Sequence, residues 1–489
     1  MAVQYEAVIG LEVHAQLLTK SKLFCGCSAA FGAPPNTHVC PVCLGLPGSL
    51  PVPNHEAIHL AMRAGLAVGC SIDRKSRFAR KNYFYPDLPK GYQISQFELP
   101  LNSAGKLLIE GDDGVEREVE IIRIHVEEDA AKNIHGAGGA DDTLVDYNRG
   151  GVALTEIVGA PDLRSSAEAE NYLRRLREIL MFARVNDGNL EEGSFRCDAN
   201  VSIRPVGDPK LGTRTELKNI NSFRFVRKAI DYEIQRQEIV LSQGGKITQE
   251  TRTWSEAQGK TIAMRTKEEA HDYRYFPDPD LPPIAISDED YARAADSVPE
   301  LPAALRARWQ ADLGLTAYDA VVLSAHPEIA RYVEQTAHLL VEQTGEAKAA
   351  AGKRVANFVQ AEVLRYVSTE GLVATFPVPA ERVAGLVALV AKGTLSGKMG
   401  KEVFEVMRET GQPAEVIIAE RGLAQVSDQG AIEAAVRTVL KASAKQLAQY
   451  KGGNEKLFGF FVGQVMKATK GSANPGLVND VLKRVLEET

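Results

Sequence analysis

The chain has 489 residues, 44% of them hydrophobic and 25% charged, enough for two to four domains with large cores and ordinary for a globular protein. A net charge of −7 carries no whole-chain signal for nucleic acid, although a basic patch can exist locally. No run of about 18 apolar residues marks a membrane span, and the opening MAVQYEAVIGLEVH has neither the basic nor the apolar region of a signal peptide. A reducing, cytoplasmic setting is therefore expected, in which close cysteines favour metal over disulfide.

Residues to about 292 read as strand-rich and irregular. Glu6–Leu17 alternates as a strand, which puts Glu12 and His14 on one face. Cys25, Cys27, Cys40 and Cys43 follow, in two close pairs among turn-forming glycines and prolines. A gap of twelve residues between the pairs suits a tetrahedral, structural zinc site; the plain alternative is four free thiols. Asn54–Val68 has helical period with Asn54 as its N-cap. Arg80–Glu98 is dense in aromatics and prolines and reads as a long functional loop.

Ile121–Lys132 (IIRIHVEEDAAK) opens as an apolar strand and closes on His125, Glu127, Glu128 and Asp129. Packed carboxylates repel, so a fold keeps such a cluster mainly where a cation neutralises it. Glu156 follows on a strand after the glycine turn of Asp146–Val158. Together Glu12, His14, Glu127, Glu128 and Glu156 make a candidate catalytic Mg²⁺ site suited to phosphate chemistry. The competing reading is a solvated strand end. If Glu127 and Glu128 continue a regular strand they point to opposite faces, so a bulge or turn is needed for both to bind.

Ser165–Phe182 reads as a helix with a capping box at Ser165 and Glu168. Ser194–Arg204 alternates, with Ser194, Arg196, Asp198, Asn200, Ser202 and Arg204 on one face. Arg214, Glu216 and Lys218 repeat the pattern. This is either a sheet face in water or the wall of a polar cleft. Beyond the proline-rich Asp272–Pro283 the chain reads as helical, broken at Pro302, Gly314, Pro327 and Pro377–Pro379. Lys441, Lys445, Lys451, Lys456, Lys467 and Lys470 stand against one acid, Glu455, between residues 441 and 470. Phe458, Phe460 and Phe461 are interleaved at helical, core-like spacing. Around Gly397-Lys398 the P-loop pattern fails at Lys392 and Met399, and no dinucleotide fingerprint, amidase-like stretch or nucleophile elbow is visible. Cys197 lies on the apolar side of its strand, a poor place for a nucleophile.

VIGLEVHAQL, RKNYFYPDLPKGYQISQ, HVEEDAAK, DYNRGG…EIV, EEGSFRCDANVSIR, ELKNINSF, DYRYFPDPDLPP and the C-terminal GFFVGQVMKATKGSANPGLVNDVL resemble the B subunit of the aspartyl/glutamyl-tRNA amidotransferases. One departure is Ala153, where the family's Asn-Arg-x-Gly-x-Pro-Leu has proline. The resemblance implies an α+β fold: a strand-rich cradle over 1–292 with a zinc site, a helical domain over 293–410 and a YqeY-like tail over 411–489. It implies a heterotrimer in which the partners are a glutaminase (the A subunit) and a linker (the C subunit). With ATP and Mg²⁺, the B subunit phosphorylates the side-chain carboxylate of Glu-tRNA(Gln) or Asp-tRNA(Asn), and ammonia from the glutaminase displaces the phosphate. The six tail lysines become tRNA-backbone candidates. Lys81, Tyr83 and Lys90 become candidates for an ammonia path, with a contact to a partner protein as the alternative. Two rivals stand beside this. One is a zinc-stabilised RNA-binding protein without catalysis. The other is the archaeal E subunit, for whose inserted domain the chain has little room.

Overall fold

The computed structural model describes residues 3–136, 142–266, 273–423, 429–469 and 473–488. It divides into two units, residues 1–302 and 303–489. The strands that matter for function are β1 (Tyr5–Gln16), β2 (Ala79–Asn82), β3 (Tyr92–Ser95), β4 (Glu116–Glu128), β5 (Ala153–Gly159), β6 (Phe195–Pro205) and β7 (Thr215–Ile220). A nine-stranded sheet runs from Lys260–Thr266 through Glu250–Ser255, β7, β6, β1, β5 and β4 to Asn102–Glu110 and Ser71–Ile72. Its centre, β6–β1–β5–β4, is antiparallel throughout.

Alternation in β1 explains the two faces of this sheet. Ala7, Ile9, Leu11, Val13 and Ala15 are buried on one side in a single large core. Three helices, α1 (His55–Ala67), α2 (Ser166–Phe182) and α3 (Phe223–Ser242), contribute to that core. Truncating Leu11 there costs about 2–5 kcal/mol through lost burial and the cavity left behind. Glu6, Glu12, His14 and Gln16 point the other way. Each helix begins on the cap its sequence offers: Asn54 accepts from the Glu56 N–H, Ser165 from Glu168 and Ser222 from Phe225. The expected capping box at α2 is only half made, because the Glu168 carboxylate accepts from the Arg164 N–H and the Arg117 guanidinium.

The segment expected as an irregular loop, Arg80–Glu98, holds most of β2 and all of β3, which pair with each other, and β2 pairs on its other edge with Phe276–Pro277 in a small second sheet. The proline-rich stretch is thus anchored: Arg80 pairs with Asp278 and Asp280 and lies over the Tyr92 ring. The second unit is helical apart from the hairpin Ser368–Glu370 and Val373–Thr375. Pro302 and Pro327 begin helices rather than interrupt them, as suits a residue without an N–H to leave unpaired. The tail has its own core around Ile432, Val436, Phe461, Val465 and Leu482. Phe461 is fully buried and Phe458 packs against it, whereas Phe460 is exposed. The α+β arrangement, strands first and helices after, is the one expected. Among the described residues, no helix is long and apolar enough to cross a membrane.

Candidate functional site

On the polar face, register brings four side chains into one line. His125 of β4 lies opposite Glu156 of β5, Glu156 opposite His14 of β1, and His14 opposite Arg196 of β6. Glu127, two residues beyond His125, shares their face. His14 Nε2 lies 3.5 Å from Glu156 Oε2 and 3.8 Å from Glu127 Oε1. His125 Nε2 lies 3.5 Å from the same Glu156 oxygen and 3.6 Å from Glu127 Oε2. One donor atom each from His14, Glu127 and Glu156 falls within 4.8 Å of the others, a spacing that a single cation can bridge with small side-chain movements.

The electrostatics fit a site built to hold positive charge. Burial opposes ionisation of Glu156, but His125 and then His14 hold it well below the usual carboxylate range. Burial opposes ionisation of Glu127 too, and His125, with Lys81, outweighs it. Burial likewise disfavours imidazolium at His14, yet Glu156 keeps its pKa raised. Lys81 is half-buried beside the same carboxylates; Glu127 most of all holds its ammonium charged against the cost of burial. Its Nζ sits 4.9 Å from the centre of the Tyr273 ring and 6.0 Å from that of Tyr83.

β3 fixes the end of β4. Ser95 Oγ donates to Glu127 Oε2 at 2.9 Å, Gln93 Nε2 to the Glu128 carbonyl at 2.7 Å, and the Val126 N–H to Gln96 Oε1 at 3.0 Å. The β4–β5 register stays regular through Glu127 and Glu128, so the two point to opposite faces. Glu128 is therefore not brought to the cation cluster. Its carboxylate accepts from the Ile94 N–H at 2.8 Å and pairs with the Lys90 ammonium. Glu12 is on the cluster's face, one rung along, where Asn200 Nδ2 donates to it at 2.9 Å. Burial, then Glu156 and Asp198, raises its pKa. Of the path candidates, Lys81 and Tyr83 border the cluster and Lys90 lies on the other side with Glu128.

Asp129, Arg196, Asp198 and Lys218, read in sequence as parts of separate strands, join this face together with Gln16, which sequence reading does not single out. Asp129 accepts from Gln16 at 2.8 Å and from Arg196 at 2.9 Å. Lys218 donates to Asp198. The alternation of Ser194–Arg204 was the signal for Arg196 and Asp198; their partners on other strands were not visible in it. A cavity of about 700 Å³ opens beside them, lined among others by Gln16, Lys132, Asn148, Arg149, Arg196 and Asp198. Cys197 borders it too, but burial lifts its thiol far above the ordinary range.

The four cysteines of the loop before α1 converge, with all four sulfurs within 4.8 Å of one another and Cys40 and Cys43 3.9 Å apart. Metal–sulfur bonds of about 2.3 Å make a tetrahedron with edges of about 3.8 Å, so the set fits one tetrahedral ion. The Cys40 N–H donates to Cys43 Sγ at 3.2 Å. A hydrogen bond from Cys25 is the main reason the Cys43 thiol is pushed down to about 4. That bond and then burial drive Cys25 up, and burial raises Cys27 to about 11. Gly45 sits at φ +67°, and a Cβ there would fall 2.3 Å from Lys90 Cγ, so any other residue would be strained and would displace the Lys90 side chain.

In the tail, Lys441, Lys445, Lys451, Lys456 and Lys467 are all exposed. Lys470 and Asp272 lie outside the described residues.

Residues 7–292 match the GatB/GatE catalytic domain family and residues 339–486 the GatB domain family. The chain is 54% identical over 487 residues to the B subunit of the aspartyl/glutamyl-tRNA(Asn/Gln) amidotransferase of Geobacter sp. (strain M21), covering 99% of this chain and 100% of that one. Identity is 54% over 486 residues to the corresponding protein of Geotalea uraniireducens, covering 99% of each chain. It is 53% over 485 residues to that of Prosthecochloris aestuarii, covering 99% of this chain and 98% of that one.

Proposed function

This chain belongs to the GatB/GatE family, and from that premise we propose that it is the B subunit of a tRNA-dependent amidotransferase, an ATP-dependent carbon–nitrogen ligase with glutamine as amido donor. A carboxylate does not react with ammonia until it gains a leaving group. A side-chain oxygen of the aminoacyl residue on Glu-tRNA(Gln) or Asp-tRNA(Asn) attacks the γ-phosphorus of ATP, and ADP leaves. Ammonia then attacks the carbonyl carbon of the acyl phosphate, and phosphate leaves.

The observation that carries this reading is the line His125–Glu156–His14 with Glu127 beside it, a set of donors for one divalent cation, with Arg196 of the next strand, opposite His14, lining a polar cavity. Mg²⁺ bound there supplies positive charge to phosphate oxygens, the chief requirement of phosphoryl transfer. His14, Glu127 and Glu156 hold the cation. Glu12 lies one rung away and completes the acidic end. Lys81 holds a second positive charge against the carboxylates, and Arg196, paired with Asp129, lines the cavity. The large cavity suits the nucleotide, and no P-loop is needed. Glu128 supports the site from behind through Lys90.

The cysteine cluster holds structural Zn²⁺. The cradle over 1–292, the helical domain over 293–410 and the tail over 411–489 divide the work, with the tail lysines on the tRNA backbone. The partners are the glutaminase and the linker of a heterotrimer, in the cytoplasm. Lys81 and Tyr83 border the ammonia route. The test is acyl-phosphate formation: with ATP, Mg²⁺ and mischarged tRNA, hydroxylamine should displace phosphate from the activated side chain and give a β-aspartyl or γ-glutamyl hydroxamate with the wild-type complex. A complex that binds the tRNA but forms none would favour the non-catalytic RNA-binding reading.

A further inference from the structure

Lysine is almost never fully buried unless something matches its charge. Lys22 is only 1% exposed. Its ammonium donates to Cys43 Sγ at 3.7 Å and to the Tyr147 carbonyl at 3.1 Å. Among the described residues, no carboxylate pairs with it. The neighbouring Lys90 differs, because Glu128 neutralises it. One neutral carbonyl does not offset the burial of a full charge.

The cysteine cluster has the opposite deficit. Four thiolates around one divalent ion leave roughly two negative charges in excess in a half-buried loop. We propose that Lys22 is the counter-cation of the four-cysteine centre, the charge that lets four thiolates share one metal ion there. This rests on the reading of the cluster as a zinc site. The backbone closes over the pair: at Gly151, φ +86°, a Cβ would lie 3.5 Å from both Lys22 Cδ and Cys43 Cβ. The competing role is a strut, in which the ammonium serves only to hold the Tyr147 carbonyl.

The two roles separate by charge and by metal. Zinc affinity is measured on the full-length chain by competition with a chromogenic chelator. Co²⁺ substitution reports whether four thiolates still bind, through the thiolate-to-cobalt absorption. Lys22→Met should weaken zinc binding about tenfold or more, whereas Lys22→Arg should stay within about threefold of wild type because it keeps the charge. The drop in Tm caused by Lys22→Met should be large in the zinc-loaded protein and small after EDTA. A strut predicts equal drops with and without zinc and unchanged affinity, and that result overturns the proposal. If Lys22→Met does not fold, Lys22→Gln takes its place, and equal zinc affinity for the Arg and Gln variants overturns it. A wild-type chain that takes up no zinc fails the cluster reading itself, a different outcome from a zinc-binding wild type matched by Lys22→Met.

Discussion

Glu127 and Glu128 are adjacent in sequence and have different surroundings. Glu127 meets His14, His125 and Lys81, and Glu128 meets Lys90. We predict that Glu127→Ala stops acyl-phosphate formation with the fold intact. Glu128→Ala strands the buried Lys90 ammonium and should cost about 3 kcal/mol of stability, read by denaturant unfolding. His14 sets the pH dependence of cation binding. Its pKa is raised above the ordinary 6.5 by Glu156 against burial, so imidazolium must lose its proton before the ring can bind a metal. Cation affinity should therefore climb as pH rises beyond 6.5, with proton release visible by calorimetry in buffers of different ionisation enthalpy. Glu156 carries the opposite sign. Glu156 is held below its ordinary 4.5, so its stabilising contribution is present above that value and lost as the solution is acidified through its lower folded value. Glu156→Gln should make cation-free protein less acid-sensitive in that range.

At the scale of elements, local pattern carried far in this chain and long-range pairing did not. α1 begins after Asn54 and α2 after Ser165 because side-chain caps and apolar period are local signals. β1 and β6 alternate as read, so Glu12, His14, Arg196 and Asp198 could be assigned to polar faces from sequence. What could not be read is that β5 lies between β1 and β4, which alone puts Glu156 between His14 and His125. The same limit hid β2 and β3, four residues each, which pair with each other while β2 also pairs with Phe276–Pro277, about 200 positions further on. A bulge or turn was needed for Glu127 and Glu128 both to bind; a regular ladder prevails there, and Lys90 and the Ile94 N–H satisfy the buried Glu128 carboxylate on the opposite face. The cysteine loop offers a test at this scale. The chain should carry one zinc, and Cys40→Ser should lower Tm before it alters the rate of acyl-phosphate formation at a temperature where the variant stays folded.

On the scale of the whole molecule, the tail core around Phe461 is separate from the core beneath the sheet. Ending the chain at residue 423 should leave the sheet unit folded, raise the KM for charged tRNA and flatten its salt dependence, since fewer counterions are released on binding. With the glutaminase and the linker supplied, Lys81→Ala should lose glutamine-driven amidation while glutaminase activity persists. Any loss of ammonium-driven amidation would instead point to the charge Lys81 places on Glu127 and Glu156. The cation site can be tested apart from any partner's glutaminase chemistry by trapping the activated carboxylate. Mischarged tRNA, ATP, Mg²⁺ and hydroxylamine are mixed with complexes that carry this chain as wild type or as Glu156→Ala, and side-chain (β-aspartyl or γ-glutamyl) hydroxamate is counted. Wild type should form it only with ATP and Mg²⁺, and Glu156→Ala should form none while binding the tRNA normally; hydroxamate at the wild-type rate from Glu156→Ala would contradict the assignment of the cation site to these strands.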